Sequence, residues 1–527
     1  VKPSEVPPLA AADLLEGRSL WELVERRADA TPEALFAVDE EGRRMTFREY
    51  RAACERVAAG LNAEEGIGPD AAVSWMLPTG LESMVLAGAL CRLGAVQNPM
   101  LPIYRQRETR FIAAQTGARL LVVPSTWRGF DYAAMAREVA ADVPGLAVRV
   151  VDRALPEGDP TGLPPPPAAS SPEDAPVRWL FYTSGTTADP KGARHTDATL
   201  MAAFVGLPRV LELRPSDRHG LVFPVTHVGG IGWLVAGLMV GFSHVVIATF
   251  DPAKAIPLLS RHRVTQLGAG TVFHQAYLAA QREQPGRPLF PDVRAFPGGG
   301  APKPPQLHYD LKNELGGAGI VSGYGLTECP VIAMNSVRDP DAKLAHTEGR
   351  PNPPGAEIHV VRLDGTPADP GEDGELRIRG PQLCRGYVDP ALDRAAFDEQ
   401  GRFRTGDLGH LDADGFVVIT GRLKDVIIRK GENISAKEVE DLLYSHPKVA
   451  DVAVIGLPDA SVGERCCAVV ACEAGVEPLG FDEMVAFLKA RGLMLQKIPE
   501  RLEFVDALPR NPAGKVLKRE LQQRYSD

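Results

Sequence analysis

The stretch Phe181 to Thr196, FYTSGTTADPKGARHT, concentrates groups able to hold a polyphosphate. Thr183, Ser184, Thr186 and Thr187 offer hydroxyl donors, Gly185 lets backbone amides turn inward, and Lys191 brings a positive charge. The spacing is not G-x-x-x-x-G-K-[ST], so an ordinary P-loop ATPase is not supported. Ser and Thr also favour plain solvated turns, and taken alone the run leaves that reading open.

Five further stretches carry chemistry-bearing residues. PGGGAP, residues 297–302, is either a tight corner or a place where backbone approaches a flat ligand closely. VSGYGLTECP, residues 321–330, sets Thr327 and Glu328 three and four residues after Tyr324. An aromatic there could stack on a base, and the hydroxyl and carboxylate could serve phosphate and Mg²⁺, although a surface acid would look the same. FRTGDL, residues 403–408, and the segment from Gly421, GRLKDVIIRKGENISAKEVE, contribute Asp407 and Arg422. These suit ribose hydroxyls or, equally, a salt bridge. PRNPAGKVLKREL places Lys515 between a Pro-Ala-Gly turn and a basic helix, where a lone lysine reads as a solvated charge on a mobile loop.

The elements that must position these groups follow from pattern. Ser19 can cap a first helix, and Thr46 with Glu49 forms a capping box opening a second, whose Tyr50, Cys54, Val57 and Leu61 recur at helical spacing. A strand-like run at Ala72 to Leu77, a helix from about Gly80 to Leu93 stopped by Gly94, and a strand at Leu120 to Val123 predict a largely parallel, doubly wound sheet. Leu155 to Pro176, rich in Pro, Ser and acidic residues, reads as an exposed linker. From about Lys424 onward, strands near Val452 to Leu457 and Cys466 to Cys472 and a helix over Phe481 to Ala490 describe a small α+β unit.

Composition narrows the function classes. The 527 residues are 44% hydrophobic and 24% charged, ordinary globular values with room for more than one domain. Net charge is −10 with no cluster of Lys and Arg, which speaks against a nucleic-acid partner. Seven cysteines, without CxxC or Cys/His ligand spacing, fit reduced thiols in the cytoplasm. The N-terminal residues lack the pattern of a secretory signal. Val228 to Phe250 is long and apolar, but its glycines and β-branched second half predict a buried helix followed by a buried strand, not a transmembrane segment.

In order and spacing, YTSGTTADPKG, PGGGAP, GYGLTE, RTGDL, GRLKDVIIRKGENI and PRNPAGKVLKREL resemble the motifs of the adenylate-forming enzyme superfamily, most closely its acyl-CoA synthetase branch. The resemblance spans nearly the whole chain. It implies a mixed α/β and α+β fold: a large N-terminal body of β-sheets covered by helices, residues 1–422, and a small mobile α+β C-terminal lid, residues 423–527, with the hinge at Lys424. It implies a ligase that uses ATP and Mg²⁺ to turn a carboxylic acid into acyl-AMP and then passes the acyl group to coenzyme A. A separate carrier protein is the alternative acceptor, and a homodimer is compatible with the resemblance.

Site roles are implied in the same way. Thr183, Ser184, Gly185, Thr186, Thr187 and Lys191 would hold the β- and γ-phosphates, Thr327 the α-phosphate, and Glu328 the Mg²⁺. Gly300, Ala301 and Tyr324 would enclose the adenine, with Asp407 and Arg422 on the ribose. Lys515 would bridge the substrate carboxylate and the α-phosphate. His227, Val228, Gly299 and Gly323 would border the acyl pocket, and Gly431, Glu432 and Asn433 would reach the thiol tunnel after the lid rotates. The chain departs from the family pattern at Ala188, where glycine is usual, at Lys430, which replaces a common glycine, and at Ala436, where proline is frequent. No carboxylate lies between Phe223 and Trp233 to pair a substrate ammonium. Amino acids are therefore disfavoured, and the expected pocket is apolar, suited to a compact hydrophobic acid.

Overall fold

A computed structural model of the chain describes residues 14–168, 170–183, 189–300, 303–429, 432–459, 462–473, 475–511 and 514–526, with the side chains of 432 and 433 also outside this set. The first sheet is the expected doubly wound one. Its order is Lys191–Thr196, Val177–Thr183, Val96–Pro99, Ala72–Trp75, Leu120–Val123, Ala147–Val150, parallel throughout except for the antiparallel edge strand Lys191–Thr196. Helices Phe47–Glu65 and Leu81–Leu93 lie on one face and Gln106–Thr116 and Tyr132–Asp142 on the other.

The local stops and starts are those the residues dictate. Ser19 Oγ accepts from the Glu22 amide, and Thr46 and Glu49 form a reciprocal capping box worth about 1 kcal/mol. Gly94 ends its helix with a φ of 65°, a left-handed conformation that costs a residue without Cβ nothing.

A second sheet runs Arg44–Thr46, Leu35–Val38, Ser243–Val246, Arg218–Leu221 and continues through single bridges at Gln266 to Phe296–Gly299 and Ile320–Tyr324. The largest core fills the layer between the two sheets, where Val228–Val240 is the central helix. The long apolar run is thus a 13-residue helix and the strand Ser243–Val246, both buried. A helix of that length spans about 20 Å, short of the roughly 30 Å of a bilayer core. Among the described residues no helix is long and apolar enough to cross a membrane.

A third, antiparallel sheet joins Glu357–Val361, Gly374–Arg379, Phe403–Leu411 and Val417–Arg422. The smaller C-terminal domain has its own sheet of Val426–Arg429, Glu432–Ser435, Val449–Asp459, Gly463–Cys472 and Arg501–Phe504, with apolar clusters on both faces. The proline-rich stretch is mostly exposed but anchored: the Gly158 amide donates to Arg56 O at 2.9 Å and Arg92 Nη2 to Pro164 O at 2.8 Å.

Candidate active site

Thr183 and Lys191 sit at the loop end of a β-hairpin. Strands Val177–Thr183 and Lys191–Thr196 pair antiparallel, and Thr183 stands directly opposite Lys191. Ser184, Gly185, Thr186, Thr187 and Ala188 lie outside the described residues. Segment 384–388 runs along the outer edge of this hairpin through Arg194–Gly386, Arg385–Arg194 and Val388–Gly192 backbone bonds. That lining-up delivers Tyr387, a residue the sequence reading did not single out. Its hydroxyl donates to Glu328 Oε1 at 2.6 Å, and the Lys191 ammonium lies 5.8 Å from the centre of its ring.

Thr327 and Glu328 are tethered to the same hairpin a second time. His195, fully buried, uses Nε2 to donate to Thr327 O at 2.8 Å while Nδ1 faces Thr199 Oγ1 at 3.0 Å. A carbonyl only accepts, so the proton sits on Nε2. Burial pushes the imidazole down to about 4, which keeps it neutral in this role. Glu328 is 8% exposed, with one carboxylate oxygen held by Tyr387. No group of three metal-ligating side chains occurs among the described residues. A single, oriented carboxylate is nevertheless the donor set Mg²⁺ uses when phosphates and water complete its shell, so Glu328 fits that ion.

Strands Phe296–Gly299 and Ile320–Tyr324 pair in parallel with Gly299 opposite Gly323. A Cβ at Gly299 would lie 2.7 Å from Gly323 O, so both strands depend on its absence. Gly300 turns with a φ of 77°, and Ala301 lies outside the described residues. Behind this turn Lys303, buried, donates from Nζ to Ser322 Oγ, Thr347 O and Glu348 Oε1 at 2.7, 2.8 and 3.2 Å, fixing its position. This lysine was also missed: in sequence it is one more cation after a Gly-Ala-Pro turn.

Tyr324, Asp407 and Arg422 form one cluster. Asp407 and Arg422 are cross-strand partners, with Arg422 Nε 2.5 Å from Asp407 Oδ1, and Tyr324 OH donates to Asp407 Oδ2 at 2.7 Å. Burial and the adjacent carboxylate raise the Tyr324 phenol well above its usual range, so it remains a donor. Lys515 is brought beside this cluster, half-buried and not solvated as its sequence context suggested. Burial first, then Arg422 and Lys424, push its ammonium down to about 8 against the opposing pull of Asp407 and Asp425. The C-terminal domain docks to make this possible. The loop before Lys515 is braced by Arg510, which pairs with Asp451 at 2.6 Å and donates to Gly514 O at 2.6 Å, while Gln275 Nε2 donates to Tyr444 OH at 3.3 Å. Lys424 lies in a short turn at the junction, where partial desolvation, and then Arg422, lower its ammonium against the pull of Asp425 and Asp407.

The residues expected to border an acyl group cluster at the start of the central helix and on the paired glycine strands. His227 caps it, Nδ1 accepting from the Gly229 amide at 3.0 Å, with the Phe223 ring edge-on at 4.7 Å. Burial pushes the His227 imidazole down to about 4. Val228 is buried, whereas Gly229, Trp233, Gly299 and Gly323 remain partly exposed. Gly431 and the side chains of Glu432 and Asn433 lie outside the described residues. His244, His219 and Gln266 occupy matched positions on neighbouring strands beneath the central helix, where Trp233 stacks on His219, and all three are buried. The sequence hid this because the three residues are far apart and become neighbours only through parallel strand register.

These features gather the residues of the sequence motifs on neighbouring strands and at the docked C-terminal domain. The chain belongs to the AMP-binding enzyme family: the family model matches residues 24–388, and the model of the AMP-binding enzyme C-terminal domain matches residues 438–515. It is 32% identical to a salicyl-AMP ligase / salicyl-S-ArCP synthetase of Mycobacterium tuberculosis over 97% of this chain and 91% of that protein. It is 31% identical to the medium-chain fatty-acid–CoA ligase of Escherichia coli over 95% of this chain and 89% of that one. Its structure resembles that of ATP-bound MatB from Rhodopseudomonas palustris with a TM-score of 0.86 and 27% identity, covering 97% of this chain and 99% of that one. The chain is thus a member of the adenylate-forming ligases, a family that uses ATP, Mg²⁺ and coenzyme A.

Proposed function

We propose that the protein is an AMP-forming carboxylic acid:CoA ligase that activates a hydrophobic carboxylic acid. The observation that carries this reading is Lys515 beside the Asp407–Arg422–Tyr324 cluster. A carboxylate approaching a triphosphate meets like charge, and a cation at that point stabilises the charge that builds in the transition state. In this reading Tyr324 packs against adenine, Asp407 and Arg422 meet the ribose, and Lys191 and Thr183 meet the outer phosphates. Thr327 and Glu328 face the α-phosphate and Mg²⁺, an ion that would withdraw charge from the phosphate oxygens.

For the second step Lys515 must leave so that a thiol can enter, which is why this lysine belongs on the C-terminal domain. Residues 423–527 act as the lid, Lys424 is the hinge, and Gly431, Glu432 and Asn433 arrive with the thiol. His227, Val228, Gly299 and Gly323 border the acyl group. A second acceptor, a carrier protein, is favoured by the likeness to the salicyl-S-ArCP synthetase. Pyrophosphate release with MgATP and a panel of acids, each with and without coenzyme A, tests both. Multiple turnovers only with coenzyme A support the ligase, and release limited to about one equivalent regardless of coenzyme A points to the carrier protein.

A further inference from the structure

A chain of hydrogen bonds runs from the large domain to the loop that carries Lys515. It starts on helix Thr271–Arg282, where Gln275 Nε2 donates at 3.3 Å to the hydroxyl of Tyr444, the last residue of helix Ala436–Tyr444 in the C-terminal domain. That hydroxyl donates in turn to Asp451 Oδ1. Asp451 Oδ2 accepts from Arg510 Nη2 at 2.6 Å, and Arg510 Nη1 donates to Gly514 O at 2.6 Å. The next residue is Lys515, whose own amide donates to Asn511 Oδ1 at 2.9 Å.

Each link has the chemistry its place requires. Burial, and then the Asp451 carboxylate, raise the Tyr444 phenol above its ordinary range, so it keeps the proton it donates. The two oxygens of Asp451 take different partners, which ties Tyr444 and Arg510 to one strand, Val449–Asp459. The forked guanidinium of Arg510 spans that carboxylate and the Gly514 carbonyl, so it fixes the loop that presents Lys515.

The loop also meets the body helix directly. Val272 lies three residues before Gln275 and hence on the same face of the helix. A Cβ at Gly514, where φ is 80°, would lie 3.4 Å from Val272 Cγ2. One face of helix Thr271–Arg282 thus touches both Tyr444 and the residue before Lys515. The bond that crosses between the domains, Gln275 to Tyr444, joins two neutral, partly exposed side chains. Such a bond exchanges for one to water at little net cost, which suits a contact that must break when the lid turns.

Resting on the acid-activating reading above, we infer that Gln275 and Tyr444 latch the C-terminal domain to the body with Lys515 in place, and that Asp451 and Arg510 carry the latch to the lysine loop. The four are positioning residues for acyl-AMP formation. They contribute nothing to thioester formation, for which Lys515 must leave. Two measurements on the full chain test this. In single-turnover assays with MgATP and benzoate, salicylate or hexanoate, Tyr444→Phe slows acyl-AMP formation by about 10-fold or more and Gln275→Leu by about threefold. Thioester formation from supplied acyl-AMP and coenzyme A stays within about twofold of the wild type in both. Arg510→Ala shows the same split, and Arg510→Lys recovers part of the lost rate. In the ligand-free chain, hydrogen exchange over the segment carrying Gly514 and Lys515 quickens at least about twofold in Tyr444→Phe and in Gln275→Leu. Wild-type rates of acyl-AMP formation in both variants overturn the inference, as does equal slowing of the two half-reactions. Unchanged exchange over that segment in both variants overturns it also. If the wild type forms acyl-AMP from none of the three acids, the acid-activating reading fails for those acids, and the exchange result alone decides the latch.

Discussion

Asp407 and Arg422 face each other across a single antiparallel ladder, and both carboxylate oxygens of Asp407 are engaged, one by Arg422 and one by the Tyr324 hydroxyl. Fifteen residues apart in sequence, they are joined by a hairpin whose turn contains Asp412 to Gly415. The pair fixes the side of the site on which the ribose is proposed to lie.

Asp407→Asn removes the charge while keeping the shape. Arg422 loses its ion-pair partner, and Tyr324 keeps at most a neutral acceptor. We expect the KM for ATP to rise by about 10-fold or more with a smaller change in kcat, because hydrogen bonds to charged groups contribute about 1.5–3 kcal/mol. Steady-state kinetics at varied ATP checks this, and an unchanged KM would remove the ribose assignment.

Lys515→Ala should slow acyl-AMP formation by about 100-fold or more, the usual effect of losing one preorganised donor, and leave attack of coenzyme A on supplied acyl-AMP largely intact. Equal loss in both half-reactions would argue against a lid that presents different groups in each. The same residue sets a pH limit. Its ammonium is held down to about 8, so in the free enzyme its charged fraction falls as pH rises through that value. The kcat/KM for adenylation should therefore decline above about pH 8, and Lys515→Arg should abolish this decline in whatever activity it retains.

Tyr387→Phe frees the Glu328 carboxylate without altering it. Partners that orient a metal-binding carboxylate typically matter by 10- to 100-fold in metal affinity. The Mg²⁺ concentration giving half-maximal pyrophosphate release should rise by about 10-fold in the variant, whereas saturating Mg²⁺ restores much of the rate. A titration with Mg²⁺ distinguishes this from a general loss of activity.

Buried histidines make the protein acid-sensitive. Burial lowers His195 and His274 to about 4 and His244 to about 3, all below the ordinary value of 6.5. A depressed histidine favours the folded state above its unfolded value, and the advantage is lost as pH falls from about 6.5 toward the folded value. Each should remove about 1.4 kcal/mol per pH unit within that window, and unfolding should take up about one proton for each. Urea unfolding across pH 6.5 to 4.5 measures the slope, and His244→Val should reduce proton uptake by about one.

The sequence by itself determined the helix caps, the alternation of strand and helix, and the family motifs. Those signals are local: a capping box is four residues long, and a hydroxyl-rich loop ending in Lys191 is one contiguous run. Tertiary structure decided what each group touches. Glu328 gained Tyr387 because segment 384–388 lies along the phosphate hairpin, and Lys515 left solvent because the C-terminal domain docks beside Arg422. The same holds for the His244–His219–Gln266 row, assembled from three strands by parallel register. Register and docking are set by packing over the whole core, and no contiguous stretch of residues encodes them.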